Sequence, residues 1–230
     1  MKPLFPKWMN IIPTVGAVAS FGGLLTVIAG TWYYATPDYW EVGYMPVQPG
    51  EGFNHQLHAG QLGIDCRYCH TNVEESPHSN VPAVSTCYGC HAETRLAGSE
   101  FHRVEFIREA YGNNETIEWR RVHKLPDYVR NFPHHVHVNA GVSCYSCHGQ
   151  IVGMPIVYQH ESLSMGWCLE CHREPEKYMV PPEQITQLVW VEDEWMSQPV
   201  GDRVHEGVTA ADLLQSLHDA PPQNCGACHH

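Results

Sequence analysis

The stretches FNHQLHAGQLGIDCRYCH at residues 53–70 and FPHHVHVNAGVSCYSCH at residues 132–148 carry one pattern twice: Phe-x-His-x-x-His, then Cys-x-x-Cys-His seven or eight residues on. The second half of that pattern recurs elsewhere. All ten cysteines fall into five copies of it: Cys66 and Cys69 before His70, Cys87 and Cys90 before His91, Cys144 and Cys147 before His148, Cys168 and Cys171 before His172, and Cys225 and Cys228 before His229. On one helical turn, cysteines at i and i+3 share a face and both reach the vinyl groups of one porphyrin, while the next histidine reaches its iron. Disulfides and zinc held by paired CxxC units are the competing readings, and neither requires a histidine after each second cysteine. The motifs therefore predict five covalently attached c-type haems, with His70, His91, His148, His172 and His229 as proximal ligands.

One axial position per iron remains, and how it is filled separates a conductor from a reactor. Two strong protein ligands saturate the iron and leave it only electrons to pass, whereas an open position can bind and reduce a small molecule. Twelve histidines lie outside the five motifs, and the repeated Phe-x-His-x-x-His supplies His55, His58, His134 and His137 in matching places. Within each such pair, one histidine would serve the haem attached just downstream and its companion another haem in the cluster. For the fifth position the choice is His123 in WRRVHKLPDYV, with Met154 and Met165 as sulfur alternatives that would raise the potential of their haem. His135 and His160 are further candidates, and His78, His102, His205, His218 and His230 read as surface residues.

From Trp8 to Pro37 there is no charged residue, and IIPTVGAVASFGGLLTVIAGTWYY exceeds the roughly 20 apolar residues that a bilayer crossing needs. Ala17-Val-Ala19 faintly imitates a signal-peptide cleavage site, but the apolar run continues well past it. Lys2 and Lys7 precede the span, and Asp38 and Glu41 follow it. The positive-inside rule then puts the N-terminus in the cytoplasm and the cysteine motifs outside, in the periplasm. Trp32, Tyr33 and Tyr34 would mark the outer interface, and Trp8 with Phe5 the inner one. Gly16 with Ser20, and Ala19 with Gly23, permit close packing against another membrane helix.

Beyond the span lie about 195 residues, roughly 39 per motif, near the size below which a domain needs staples or metals. The expected fold class is a multihaem cytochrome c: mostly short α-helices and loops around a haem core, little sheet, and one N-terminal transmembrane helix. The organisation reads as 1–36 cytoplasmic N-terminus and span, 37–52 linker, 53–92 first dihaem unit, 93–131 connecting segment, 132–178 second dihaem unit, and 179–230 an extension carrying the fifth motif. A helix is expected over 99–111, where Phe101, Val104, Ile107 and Tyr111 recur at helical spacing. Another is expected after Thr209, with Asp212 completing a capping box before Leu213, Leu214 and Leu217. The net charge of −12 argues against nucleic acid as a partner.

The run GFNHQLHAGQLGIDCRYCH, followed by RVHKLPDYV, GVSCYSCHG and LSMGWCLECHREP, resembles the pentahaem cytochrome c subunit of alternative complex III, a bacterial quinol-oxidising membrane complex; the likeness covers nearly the whole chain. The resemblance implies a place beside an iron–sulfur subunit, polytopic quinol-binding subunits and a monohaem cytochrome in a respiratory chain, with a downstream cytochrome c or terminal oxidase as acceptor. It carries the axial histidines onto His55, His58, His123, His134 and His137, and leaves Met154 and Met165 open. Three functions from different classes are weighed: an electron-transfer subunit with no catalytic site, which is favoured; a self-contained membrane-anchored quinol dehydrogenase; and a multihaem reductase of nitrite, hydroxylamine or sulfite. The last would need a vacant iron.

Overall fold

The computed structural model describes residues 6–35, 53–92, 104–117, 119, 121–123, 125, 129 and 132–229, with the side chains of 33–35 outside that description. A 3-10 turn over Lys7–Ile11 leads into α1 (Ile12–Ala35). At 1.5 Å per residue this helix is about 36 Å long, more than the ~30 Å hydrocarbon thickness of a bilayer. The segment Lys7–Trp32 is long and apolar enough to cross a membrane, and the rest of the chain buries none of it. Phe21, Leu24, Val27 and Trp32 are all exposed, while Thr26 satisfies its hydroxyl by donating to Gly22 O at 2.8 Å. The expected interface residues Phe5, Tyr33 and Tyr34 lie outside the described side chains.

The remainder is short helices joined by ordered loops, with very little sheet. In chain order the helices are α2 (Cys66–Cys69), α3 (Val84–His91), α4 (Glu105–Asn113), α5 (His134–Asn139), α6 (Cys144–His148), α7 (Met165–Arg173), α8 (Leu188–Trp190), α9 (Ala210–Ser216) and α10 (Cys225–Cys228). Wide π-type turns run over Gln56–Gln61 and Val191–Met196. A hairpin of β1 (Val204–His205) and β2 (Val208–Thr209) is the sheet among the described residues. Its two-residue turn places Glu206 at φ 49° and Gly207 at φ 86°, the paired positive dihedrals that match strand twist in tight hairpins.

The capping box after this hairpin forms as the sequence indicates. Thr209 N donates to Asp212 Oδ2 at 2.9 Å, and Asp212 N donates to Thr209 Oγ1 at 3.2 Å. Leu213 is buried and Leu217 packs on the core, but Leu214, expected with them, is exposed. Of the helix expected over 99–111, residues 99–103 lie outside the described residues; α4 begins after Val104, which serves as its N-cap, and runs on until Asn114 turns left-handed at φ 56°. Ile107 is buried in its face, whereas Tyr111 is exposed and stacks flat on Tyr88 of α3 at 3.8 Å. Phe101 lies outside the described residues.

The apolar core is concentrated late in the chain. Met179, Val180, Ile185, Val191, Trp195, Ala210 and Leu213 cluster with Val138 of α5. The segment from 179 on, expected to be an extension for the fifth motif, thus also supplies the main protein-built core. Trp195 is 1% exposed, and its Nε1 donates to Met179 O at 2.9 Å. Arg203, also buried, donates to Lys177 O at 2.8 Å and Gln198 O at 3.1 Å, tying loop ends together. Trp195→Ala should cost about 3–5 kcal/mol, as large-to-small aromatic truncations in cores do; denaturant unfolding of the purified protein measures it, with Trp195→Phe losing less because the phenyl ring keeps most of the packing while the indole donor and part of the ring volume go.

Candidate haem-binding site

Three of the five attachment motifs, the first, third and fourth, sit on helices whose starts are capped by a neighbouring side chain. Asp65 accepts from Arg67 N at 2.8 Å, Ser143 Oγ from Tyr145 N at 3.2 Å, and Ser164 Oγ from Trp167 N at 3.3 Å. These are N-caps, and they start a helical turn on which the two cysteines of each motif share a face. The turn closes on the motif histidine, as where His70 N donates to Cys66 O and His229 N to Cys225 O, both at 2.9 Å. All ten cysteines are free of disulfides. Burial pushes the Cys147 thiol up to about 12 and Cys171 to about 11.

The phenylalanine of Phe-x-His-x-x-His is a spacer for two imidazoles. Phe53 stacks on His58 at 4.4 Å and meets His55 edge-on at 4.7 Å. Phe132 repeats this with His137 at 4.5 Å and His134 at 5.1 Å. In each unit the second histidine then faces a motif histidine: ring centroids are 6.0 Å apart for His58 and His91, and 6.1 Å for His137 and His172.

That spacing is a test of fit. A metal–imidazole bond of about 2 Å on each side, plus about 1.1 Å from each nitrogen to its ring centre, gives about 6 Å between centroids of two rings sharing one metal. Both pairs meet this requirement, so the residues present fit a haem iron between them.

Backbone carbonyls select the nitrogen that is left to bind. Nδ1 of His58 lies 2.9 Å from Asn54 O, that of His70 2.8 Å from Asn80 O, and that of His134 2.9 Å from Pro77 O. Nδ1 of His137 is 2.9 Å from Pro133 O, and that of His172 is 2.6 Å from Pro222 O. A carbonyl only accepts, so each Nδ1 carries the proton and each neutral ring presents a bare Nε2 to a metal. Among the described residues, His123 Nε2 is buried with no hydrogen-bond partner, as are Nδ1 of His55, His91 and His148. Burial is also the main reason that His55 and His123 are lowered to about 4, His148 well below its ordinary value, and His91, His134 and His137 downward. Neutral imidazole is the ligating form.

Several candidate residues take unexpected positions. His123, expected as a distal ligand with no particular haem assigned to it, touches His148 of the third motif edge-on, with centroids 4.2 Å apart; this is too close for a metal between the rings. Met154 is buried and Met165 is exposed at the start of α7. His135 has a buried Nδ1 without a hydrogen-bond partner, and His160 sits 3.5 Å from Glu161. His78 and His218 are exposed as expected, but His205 is half-buried beside Trp190 at 4.8 Å and Gln184 at 3.3 Å. His102 and His230 lie outside the described residues. The Pro77, Asn80 and Pro222 carbonyls were not foreseen, since a backbone acceptor in a loop leaves no residue-type signal.

Short helices, scant sheet and five Cys-x-x-Cys-His motifs give the chain the fold class of a multihaem cytochrome c. No family model matches the chain. It is 28% identical over 133 residues to the menaquinone reductase multihaem cytochrome c subunit of Nitratidesulfovibrio vulgaris (strain Hildenborough), an alignment covering 58% of this chain and 59% of that protein. The chain thus spans about three-fifths of that relative's length.

The buried histidines make stability depend on pH with a fixed sign. Unfolded, each binds a proton near its ordinary value of about 6.5; folded, His55 and His123 resist down to about 4. Stability is therefore full above about pH 6.5 and falls as pH drops toward 4, by a few kcal/mol per group at most. Guanidinium unfolding of the purified protein should show a lower midpoint at about pH 5 than at about pH 7.5; equal midpoints would contradict the burial.

Proposed function

We propose that this chain is a membrane-anchored pentahaem c-type cytochrome that relays electrons inside a quinol-oxidising respiratory complex of the alternative complex III kind. The observation that carries the reading is the facing of His58 on His91 and His137 on His172 at 6.0 and 6.1 Å, with Nδ1 of His58, His137 and His172 held by carbonyls. Cysteines 66, 69, 87, 90, 144, 147, 168, 171, 225 and 228 hold the porphyrins. The proximal histidines are His70, His91, His148, His172 and His229. The distal set is drawn from His55, His58, His123, His134 and His137, with Met154 and Met165 as alternatives. Bound there, haems with both axial positions filled supply one-electron transfer and no substrate chemistry.

The attachment residues form a chain of neighbours. Cys69 neighbours Cys90, Cys66 neighbours Cys144, Cys147 neighbours Cys171, and Cys168 neighbours Cys228. This supports a relay in the order second, first, third, fourth, fifth motif. The apolar α1 supports single-pass anchoring in the bacterial inner membrane, with the N-terminus cytoplasmic and the motifs periplasmic. Partners are an iron–sulfur subunit, polytopic quinol-binding subunits and a monohaem cytochrome, with a cytochrome c or terminal oxidase downstream. The relative's name supports an exchange with the menaquinone pool.

Pyridine haemochrome analysis of the protein purified from a host with c-type maturation should give five haems per chain. Replacing Cys87 and Cys90 by alanine should leave four. Any other native count, or quinol oxidation by the chain without its partners, would refute the reading. His58→Met and His137→Met should each raise the potential of one haem in a redox titration and leave the haem count unchanged.

A further inference from the structure

The duplicated units dock on each other through one set of contacts made twice. In the second unit, His135 N donates to Ser76 O at 3.2 Å, and Asn139 Nδ2 donates to Glu74 O at 3.0 Å. In the first, Gln56 N, at the position equivalent to His135, donates to Met154 O at 3.2 Å. Gly60, at the position of Asn139, lies so close to Val152 that a Cβ there would collide with the Val152 carbonyl oxygen. Ser76 and Met154 are equivalent, as are Glu74 and Val152, because each stands the same distance after the first Cys-x-x-Cys-His of its unit, and each is followed at the same spacing by Pro77 or Pro155. The histidine-bearing turn of each unit therefore rests on the loop that follows the first attachment motif of the other.

A pseudo-two-fold relation runs through the attachment helices as well. Their N-caps, Asp65 and Ser143, bond to consecutive residues: Thr186 Oγ1 donates to Asp65 Oδ2, and Ser143 Oγ donates to Ile185 O, both at 2.8 Å. Gly63 at φ 65° and Gly141 at φ 84° make matching left-handed turns into the two helices, and Cys66 and Cys144 are neighbours between them. One loop, 77–80, holds two imidazoles from opposite units: Asn80 O takes Nδ1 of His70 at 2.8 Å, and Pro77 O takes Nδ1 of His134 at 2.9 Å. Their bare Nε2 atoms are thus set by a shared support.

Resting on the haem reading above, we propose that axial ligation is exchanged between the units: His134 Nε2 ligates the iron of the porphyrin on Cys66 and Cys69, and His55 Nε2 that of the porphyrin on Cys144 and Cys147. The second histidines stay at home, His58 facing His91 and His137 facing His172. The first histidines cross over. His55 Nδ1 is buried without a hydrogen-bond partner, and the acceptor equivalent to Pro77 O is Pro155 O. Exchange makes neither unit complete alone and would bring the first and third porphyrins together at the pseudo-axis, where Cys66 and Cys144 are neighbours.

A cryo-electron map of the full chain in its purified complex tests this directly. The expected result is the His134 ring opposite His70 across the first porphyrin, the His55 ring opposite His148 across the third, and His55 Nδ1 within hydrogen-bond distance of Pro155 O. Each first histidine on the first porphyrin of its own unit, or His123 on the third iron in place of His55, overturns the exchange. Absent porphyrin at those cysteines would instead defeat the haem reading itself. Spectroscopy gives an independent arm. His134→Gly should convert one low-spin haem to high-spin by electron paramagnetic resonance, and should convert none when Cys66→Ser and Cys69→Ser have already removed the first porphyrin. Loss of a further low-spin haem in that background overturns the assignment of His134.

Discussion

A peptide carbonyl accepts hydrogen bonds and cannot donate them, and the whole arrangement depends on that one-way character. Five imidazoles, those of His58, His70, His134, His137 and His172, rest their Nδ1 on such an oxygen. The contact fixes the tautomer, fixes the ring plane and leaves Nε2 as the basic nitrogen. At His134 and His137 desolvation acts in the same direction, because burial lowers the affinity for the proton that would compete with a metal. The two aromatic spacers, Phe53 and Phe132, then set the angle between the histidines of each pair. A ligand so constrained costs little further entropy when it binds.

What holds these loops in place is a core that lies largely after the second unit. Trp195, Met179, Val180 and Val191 are almost wholly buried, and the segment 180–186 among them reaches back to the attachment helices. Val180 N donates to Gly141 O at 2.8 Å, beside the left-handed turn that aims α6. Adding a Cβ to Gly141 would set it 2.9 Å from Val180 O, so this position needs glycine both for its dihedral and for the close approach. From there Ile185 and Thr186 bond to the caps of both first-motif helices. The late segment is in effect a brace across the duplicated halves.

Much of this was legible in the sequence because covalent chemistry restricts it. Two cysteines that share a porphyrin need i, i+3 spacing, so the attachment helices could be located from the motif, and the repeat of Phe-x-His-x-x-His pointed to paired imidazoles. The capping box at Thr209 and Asp212 was legible because a side-chain pattern encodes it. Other features left no such trace. The start of α4 is set by Val104 and its end by the left-handed Asn114, neither of which periodicity reveals. The support that Pro77, Asn80 and Pro222 give is a property of backbone path. His123 stands beside His148 because of tertiary packing, and Trp195 reads as one apolar residue among many until Met179 O is found at its indole nitrogen.

Low-temperature electron paramagnetic resonance of the fully oxidised, purified complex tests the central claim most directly, because it reports whether each iron is capped on both sides. The account predicts only low-spin ferric signals from this chain and no carbon monoxide adduct on reduction. A stoichiometric high-spin signal, or an iron that binds carbon monoxide, would mean an open axial position and would contradict it.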